Sequence, residues 1–303
     1  MPEPIDFSIV IPTYNRPGSL AACLTSIAAL ETAAVGFEVV VVDDGGPAPM
    51  DDVVARFRGP MDVTLVRQKN GGPASARNTG AARARGRFLA FLDDDCRPAP
   101  DWLEKLHACL AADPDRLVGG RALNPLESNP YSAANMALIS YLYEYYEAAG
   151  CEGTGDQRRG FLASCNMALS AERFRWLGGF DESYRIASED RDFGDRWLAA
   201  KLPLAYARDA VVYHHWAFGF SSFCRRHFAY GRGGAHYQWV RALHGRGRVR
   251  VEPPRFYLDL LRYPWRHSEI RRPLAVAALL TLSQAAVAAG FYCQRAMRIG
   301  GKS

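Results

Sequence analysis

Four short apolar segments, three of which run directly into polar clusters, constrain the fold of this chain more than any other feature. They span residues 7–12, 37–42, 63–66 and 88–92, and the first three are rich in β-branched residues. Segments with helical spacing lie between and after them, at 18–30, 51–57, 75–85 and 102–112. Apolar strands that alternate with helices predict βαβ units and an α/β domain with a mostly parallel sheet.

The polar clusters stand directly after the predicted strands. The first begins at Thr13, the second is Asp43-Asp44, and the third is the triplet Asp93-Asp94-Asp95. Right-handed crossovers bring the carboxyl ends of parallel strands to one edge of the sheet, where open α/β sheets bind ligands. The sequence therefore predicts a ligand site at this edge.

The triplet Asp93-Asp94-Asp95 has the chemistry of a cation site. Three adjacent carboxylates repel one another, and burying them without partners is costly. Mg²⁺ and Mn²⁺ prefer oxygen ligands, and Asp93 and Asp95 point to the same face in strand geometry. The alternative is a solvated acidic loop, which the buried strand directly before the triplet disfavours.

Three further groups leave more than one interpretation open. Arg77 lies in a predicted helix that begins after Gly71-Gly72-Pro73, a setting that suits phosphate binding but that also occurs in ordinary turns. Glu189-Asp190 fits either a carboxylate pair with split pKa values or an ordinary helix N-terminus. His214, after a predicted strand at 210–213, is either structural or a metal ligand.

Taken together, the motifs resemble those of the family 2 glycosyltransferases, which have the GT-A fold. The resemblance covers roughly residues 6–216 and rests on the order and spacing of many short elements. The matching elements are Ile9-Val-Ile-Pro-Thr-Tyr-Asn-Arg16, Val39-Val-Val-Val-Asp-Asp-Gly45, Asn70-Gly-Gly-Pro73, Ala76-Arg-Asn-Thr-Gly80, Phe91-Leu-Asp-Asp-Asp95, Gly178-Gly-Phe-Asp-Glu182 and Ser188-Glu-Asp190.

The resemblance implies an inverting transfer from a nucleoside-diphosphate sugar and a role for each matched residue. Asp190 is the implied catalytic base, supported by Glu189, and His214 becomes a candidate for the metal or diphosphate shell. Asp95 is implied to bind the metal, with Asp93 completing the acidic motif. The residues implied to bind the donor are Pro12, Thr13, Asn15, Arg16, Asp43 and Asp44 at the nucleoside, Arg77 near the base or diphosphate, and Asp94 at the ribose.

The resemblance also implies the cofactor and the substrates, and two alternative functions stand beside it. The cofactor is Mn²⁺ or Mg²⁺, the donor is a UDP-sugar by default, and the acceptor is a glycan, lipid-linked or other hydroxyl compound. Processive members carry a Gln-x-x-Arg-Trp motif and several membrane helices, whereas this chain has only Asp195-Arg196-Trp197. Single-sugar transfer in bacterial cell-surface polysaccharide or glycolipid synthesis is therefore favoured. The alternatives are a sugar-nucleotide pyrophosphorylase and a non-catalytic nucleotide- or glycan-binding module.

The predicted organisation is a catalytic domain at 1–216, with a nucleotide-sugar-binding half at 1–120 and an acceptor half at 121–216, and a basic helical region at 217–303. Within that region, residues 273–292 form an apolar helix that is a membrane-surface or embedded segment, a core helix or an oligomer contact. Arg271 and Arg272 precede it. A net charge of +5 is too small to indicate nucleic-acid binding.

Compartment is predicted from cysteines and from the N-terminus. The cysteines show no CxxC pair, which favours reduced thiols, and the first residues lack the pattern of a secretory signal. We therefore expect a cytoplasmic protein, and the membrane interpretation of residues 273–292 would make it peripheral on the inner face of the cytoplasmic membrane. The seven cysteines are Cys23, Cys96, Cys109, Cys151, Cys165, Cys224 and Cys293.

Overall fold

A computed structural model describes residues 5–32, 35–126, 128–150, 162–246 and 252–300, so that Cys151 lies outside the described residues. The other six cysteines are free thiols. In chain order, the elements are β1 (Phe7–Thr13), α1 (Pro17–Ala28), β2 (Phe37–Asp43), α2 (Asp51–Ala55), β3 (Val63–Arg67), α3 (Pro73–Arg83), β4 (Phe88–Leu92), β5 (Cys96–Pro98), α4 (Trp102–Ala112), β6 (Leu117–Leu123), α5 (Pro130–Gly150), β7 (Asn166–Ser170), α6 (Ala171–Trp176), α7 (Glu189–Ala199), β8 (Leu204–His214), α8 (Phe220–Leu243), α9 (Pro254–Arg266) and α10 (Pro273–Gly300).

One eight-stranded sheet has the order β3-β2-β1-β4-β7-β6-β8-β5. The pairs among β1 to β4 are all parallel, as the alternation of strands and helices predicts. The second half is mixed. Strand β7 pairs antiparallel with β4 and β6, β5 pairs antiparallel with β8, and β6 pairs parallel with β8. The sheet is therefore wholly parallel in its first half and mixed in its second.

Of the four predicted strands, β1, β2 and β4 are buried along almost their whole length, whereas β3 lies at the edge of the sheet and is partly exposed. Strand β4 is buried at all five positions, as expected for a central strand covered on both sides. Helix α3 packs closely on β1 because residue 80 is glycine, and a Cβ at Gly80 would overlap the side chain of Val10. This close packing holds the start of α3 near the carboxyl ends of β1 and β4.

The chain forms two compact units. The first comprises Met1–Leu123, Ala149–Arg185 and Glu189–His215 and contains the whole sheet. The second comprises Asn124–Ala148, Ile186–Ser188 and Trp216–Ser303, and it contains α8, α9, α10 and most of α5. Every residue that the sequence predicts for the ligand site belongs to the first unit.

The second unit is held by an apolar cluster and by close helix packing. Its core includes Leu138, Tyr141, Phe223 and Leu260, and the Tyr141 hydroxyl donates to the carbonyl of Phe256 at 2.7 Å. Helices α8 and α10 approach each other at glycines. The other residues of this cluster are Ala134, Ala137, Phe256, Tyr263, Val276 and Leu280.

We expect Gly290→Ala in α10 to destabilise the protein. A Cβ at Gly290 would overlap the carbonyl oxygen of Phe228 in α8, and backbone cannot move aside without separating the helices. The expected loss is about 1–3 kcal/mol of unfolding free energy. Gly234→Ala is the matched control, because a Cβ at Gly234 in α8 meets nothing within 4 Å. Urea unfolding of both variants measures the difference, and equal midpoints would contradict the packing argument.

Candidate active site

The acidic triplet follows β4 directly and meets the residues that follow β1. The Thr13 hydroxyl donates to Asp94 at 2.6 Å. The Arg16 guanidinium pairs with both Asp94 and Asp95, with Nη1 of Arg16 2.7 Å from Asp95. Strands β1 and β4 are parallel neighbours, so their carboxyl ends bring these side chains together.

The three carboxylates have different surroundings. The Asp94 side chain is fully buried, whereas Asp95 is 12% exposed and Asp93 is 26% exposed. Burial raises the pKa of Asp94 to about 7, although Arg16 and the Thr13 hydroxyl act in the opposite direction. Asp93 and Asp95 therefore have the accessible carboxylates of the triplet, whereas Asp94 joins two strand ends.

Arg77 of α3 joins the triplet to the start of α7. Its guanidinium donates to Asp93 at 2.6 Å and to Glu189 at 2.8 Å, and all three groups are at least largely buried. Burial lowers the pKa of Arg77, but Asp93 and Glu189 together raise it above its ordinary value. Arg77 thus holds two carboxylates from residues 96 positions apart in sequence.

Glu189 and Asp190 are the first two residues of α7, so both interpretations of this motif apply to them. A helix N-terminus favours negative charge, and the Asp190 carboxylate accepts from the backbone N–H groups of Arg191 at 2.8 Å and Ser164 at 3.3 Å. Ser188 directly before the helix has φ +79, a left-handed conformation that is costly outside glycine.

The surroundings of Asp190 suit a base that works near neutral pH. Burial and the neighbouring Glu189 raise the pKa of Asp190 to about 7, while Arg77 and the two backbone N–H groups limit the rise. A carboxylate with this pKa is ionised in part at neutral pH and has enough basicity to accept a proton. The arrangement can therefore support proton abstraction from a hydroxyl group.

The predicted nucleoside-binding residues lie on the loops after β1 and β2. Pro12 is within β1, and Asn15 is exposed with φ +53. A Cβ at Gly46 would lie 2.7 Å from the backbone nitrogen of Asn15, so the two loops are in close contact. Asp43 accepts from the backbone N–H of Gly46 at 3.2 Å.

Asp44 holds the glycine loop before α3. Its carboxylate accepts from the Gln68 side chain at 2.7 Å and from the backbone N–H groups of Gly71 and Gly72 at 2.8 and 2.9 Å. Gly72 has φ +90, which the glycine permits, and it directly precedes α3. Asp44 therefore shapes this loop through contacts within the protein.

His214 ends β8 beside the triplet. Its Nε2 lies 2.9 Å from Asp95, and the ring is buried. Burial lowers the pKa of His214, but Asp95 and Cys165 raise it to about 10. One ligand atom from each of Asp93, Asp95 and His214 lies within 4.8 Å of the other two. Two carboxylates and an imidazole are a donor set that fits Mn²⁺ or Mg²⁺.

Some structural contacts of the site carry no signal in the sequence. Asn78 of α3 donates to the carbonyl of Phe180 at 2.8 Å and accepts from the Phe180 backbone N–H at 2.9 Å. Gly179 beside it has φ +68, and a Cβ there would lie 2.7 Å from the Asn78 oxygen. The two motifs at 76–80 and 178–182 are therefore clamped together, an arrangement that single-sequence periodicity does not reveal.

The family model described as glycosyl transferase family 2 matches residues 8–174. The chain belongs to this family. A pre-mycofactocin glycosyltransferase of Mycobacterium tuberculosis is 33% identical over 219 residues, covering 70% of this chain and 43% of that protein. A chondroitin synthase of Escherichia coli is 29% identical over 235 residues, covering 68% of this chain and 34% of that protein. The chain thus matches less than half the length of either relative.

Solved structures show the same fold at low sequence identity. The mannosyltransferase PcManGT of Pyrobaculum calidifontis, in complex with GDP-Man and Mn²⁺, has a TM-score of 0.61 and 19% identity, covering 99% of this chain and 80% of that one. TarS 1-349 of S. aureus in complex with UDP has a TM-score of 0.55 and 18% identity, covering 98% and 92%. The predicted GT-A fold is confirmed.

We expect Arg77→Met to destabilise the first unit strongly. The substitution leaves Glu189 buried without its cation and Asp93 without its nearest partner, a change that costs about 3–5 kcal/mol. Arg83→Met, at an exposed position of the same helix, is the control and should change stability by less than about 0.5 kcal/mol. Chemical denaturation followed by circular dichroism measures both.

A second variant tests the cause. Adding Glu189→Gln to Arg77→Met removes the uncompensated buried charge and should recover part of the lost stability. If Arg77→Met unfolds at the same denaturant concentration as Arg83→Met, the ion pairs of Arg77 do not support the fold.

Proposed function

We propose that the chain is a metal-dependent inverting glycosyltransferase that moves one sugar from a nucleoside-diphosphate sugar to an acceptor hydroxyl. The observation that carries the proposal is that Arg77 joins two sets of acidic side chains. On one side, Asp93 and Asp95 with His214 can hold a divalent cation. On the other, Asp190 has the pKa of a base.

Donor binding is assigned to the loops after β1, β2 and β4. Thr13 and Arg16 already contact Asp94, and Asn15 lies against the loop that follows Asp43. We assign the nucleoside to these loops and the diphosphate to the cation side, near Arg77. The TarS structure with UDP supports a UDP-sugar, whereas PcManGT with GDP-Man and Mn²⁺ supports a GDP-sugar and a metal requirement. UDP remains our first choice for the nucleotide.

The proposed chemistry needs a base on the acceptor side. Asp190 accepts the proton of the acceptor hydroxyl as the oxygen attacks the anomeric carbon in line with the leaving group. The bond from that carbon to the diphosphate oxygen breaks, and the nucleoside diphosphate leaves with the electron pair. The backbone N–H groups of Arg191 and Ser164 fix the orientation of the carboxylate, so that no reorganisation is needed during the reaction.

A divalent cation held by Asp93, Asp95 and His214 would neutralise the charge that develops on the departing diphosphate. Arg16 bonds Asp94 and Asp95, so it keeps the triplet oriented. Glu189 is held by Arg77 and also accepts from the Ser164 hydroxyl at 3.4 Å, which supports a positioning role beside Asp190.

Single-sugar transfer is supported by the contacts of Arg196 and Trp197, the two residues shared with the motif of processive enzymes. Arg196 donates to Asp192 and to the carbonyls of Leu177 and Gly179, and the Trp197 indole donates to the carbonyl of Pro203. Both side chains are used within the protein. We propose a role in bacterial cell-surface polysaccharide or glycolipid synthesis.

Helix α10 supports attachment to a membrane surface. Its 18-residue apolar window has a mean hydropathy of 1.9 and is only 22% buried, so most of its positions are at least partly exposed. One stripe packs within the second unit, through Val276, Leu280 and Ser283. We propose that the opposite stripe contacts lipid, that Arg271 and Arg272 bind anionic headgroups, and that the protein is peripheral on the inner face of the cytoplasmic membrane.

Asp190→Asn is expected to lower kcat by at least about 100-fold and to leave nucleotide affinity unchanged, because the amide cannot accept the hydroxyl proton. Asp209→Asn, at an exposed position of β8, is the control. For the wild type, kcat/KM should rise about tenfold per pH unit below the pKa of Asp190, about 7, and level off above it, because only the ionised carboxylate is a base. Near-normal turnover of Asp190→Asn would remove this residue from the mechanism.

Asp95→Ala is expected to weaken nucleotide-sugar binding in the presence of Mn²⁺ by at least about tenfold, since it removes one of three cation ligands. Without a divalent cation, the variant and the wild type should bind equally weakly. Calorimetric titrations with and without Mn²⁺ measure both affinities. Equal Mn²⁺-dependent affinities in the two proteins would exclude Asp95 as a metal ligand.

Exchanging Arg271 and Arg272 for glutamate is expected to reduce co-sedimentation with phosphatidylglycerol vesicles severalfold, since each basic residue near an anionic surface contributes about 1 kcal/mol. Vesicles of phosphatidylcholine alone provide the reference for apolar contact. The matched control exchanges Arg56 and Arg58, which follow α2 in the first unit. Equal binding of both double variants would place the membrane contact elsewhere.

A further inference from the structure

Two buried thiols beside the triplet are not used by the proposed mechanism, and they lie next to His214, which is. Cys96 begins β5 directly after Asp95, Cys165 directly precedes β7, and His214 ends β8. Cys96 and His214 are paired across the antiparallel strands β5 and β8. Asn166, the residue after Cys165, is paired with Leu92 at the end of β4. The sheet thus gathers two thiols and an imidazole from distant parts of the sequence.

The three groups lie close together. One ligand atom from each residue lies within 4.8 Å of the other two, and all three residues are buried. Nε2 of His214 is directed to Asp95. His214 therefore belongs to two candidate donor sets, one with Asp93 and Asp95 and one with the two thiols.

The two donor sets differ in the metal that they prefer. Carboxylates favour Mg²⁺ and Mn²⁺, whereas thiolates favour Zn²⁺ and other soft ions. Zn²⁺ bonds of about 2.3 Å to sulfur and about 2.0 Å to nitrogen place tetrahedral ligand atoms roughly 3.5–3.8 Å apart. Starting from separations within 4.8 Å, side-chain movements of about 1 Å would close such a set.

We propose that Cys96, Cys165 and His214 form a second metal site, which binds a thiophilic divalent ion such as Zn²⁺. This site is distinct from the hard site that the proposed function assigns to the triplet, and its existence does not depend on that function. One consequence of the thiol site does rest on the proposed function. Because the two sites share His214, Zn²⁺ at the thiol site withdraws a ligand from the hard site and opposes Mn²⁺-dependent transfer.

The direct test uses Co²⁺ as a spectroscopic probe on the full chain, kept reduced with a phosphine and freed of metal with a chelator. We expect a thiolate-to-cobalt charge-transfer band that saturates with Co²⁺ and disappears on adding equimolar Zn²⁺. Cys96→Ala and Cys165→Ala should each lose the band and weaken Zn²⁺ binding at least about tenfold. Cys109→Ala and Cys224→Ala should retain both, because these thiols lie outside the set.

Asp93→Asn separates the two metal sites. It removes a ligand of the hard set only, so the cobalt–thiolate band should persist while Mn²⁺-dependent nucleotide binding weakens. Absence of the band in the wild type, or a band that survives in both Cys96→Ala and Cys165→Ala, would overturn the thiol site whether or not the protein transfers a sugar. The wild-type spectrum decides this even if an alanine variant fails to fold.

Activity then tests the consequence. Zn²⁺ should inhibit the Mn²⁺-dependent reaction of the wild type and should inhibit Cys165→Ala at least about tenfold less strongly. Equal inhibition of both proteins would refute the competition for His214, even if the cobalt band shows that the thiol site exists.

Discussion

The buried guanidinium of Arg77 is the interaction on which the candidate site depends. It bonds Asp93, directly after β4, and Glu189, at the start of α7, so one side chain holds the proposed cation side and the proposed base side of the site. Removal of one partner would leave an unpaired buried charge, which is costly. Asp93, Arg77 and Glu189 therefore stabilise the protein only as a complete set. Gly80 contributes to the position of Arg77, because only glycine lets α3 pack so closely on β1.

The surroundings of the buried carboxyl groups also set their pKa values. Burial and its neighbouring acid make Asp190 more basic, while Arg77 keeps the pKa from rising further. Asp94, buried under Arg16, also has a raised pKa, but its contacts join two strands. Similar carboxylates thus acquire different properties from their surroundings: Asp93 and Asp95 stay accessible, which suits the proposed cation, and the raised pKa of Asp190 suits the proposed base.

Periodicity predicts the first half of the fold well and the second half poorly. Strands β1 to β4 are predominantly apolar segments that alternate with helices, so their positions, their parallel pairing and the polar residues at their ends follow from the sequence. Strands β5 and β7 are three and five residues long, and their antiparallel pairing depends on tertiary contacts. For the same reason the sequence does not show that Asn78 clamps Phe180, or that Cys96 meets Cys165. The roles of Asp190 and His214 came from family resemblance, and those roles remain proposals.

The central claim is that the sheet edge around Asp93 and Asp95 binds a nucleoside-diphosphate sugar together with a divalent cation. A thermal-shift screen of UDP-, dTDP- and GDP-sugars with Mn²⁺, with Mg²⁺ and with a chelator tests it most directly, because a ligand that binds the native state raises the unfolding temperature. The account predicts that at least one nucleotide-sugar raises Tm with a divalent cation and has little effect with the chelator. If no nucleotide-sugar shifts Tm under any condition, or if the shifts are the same with the chelator, the account is contradicted.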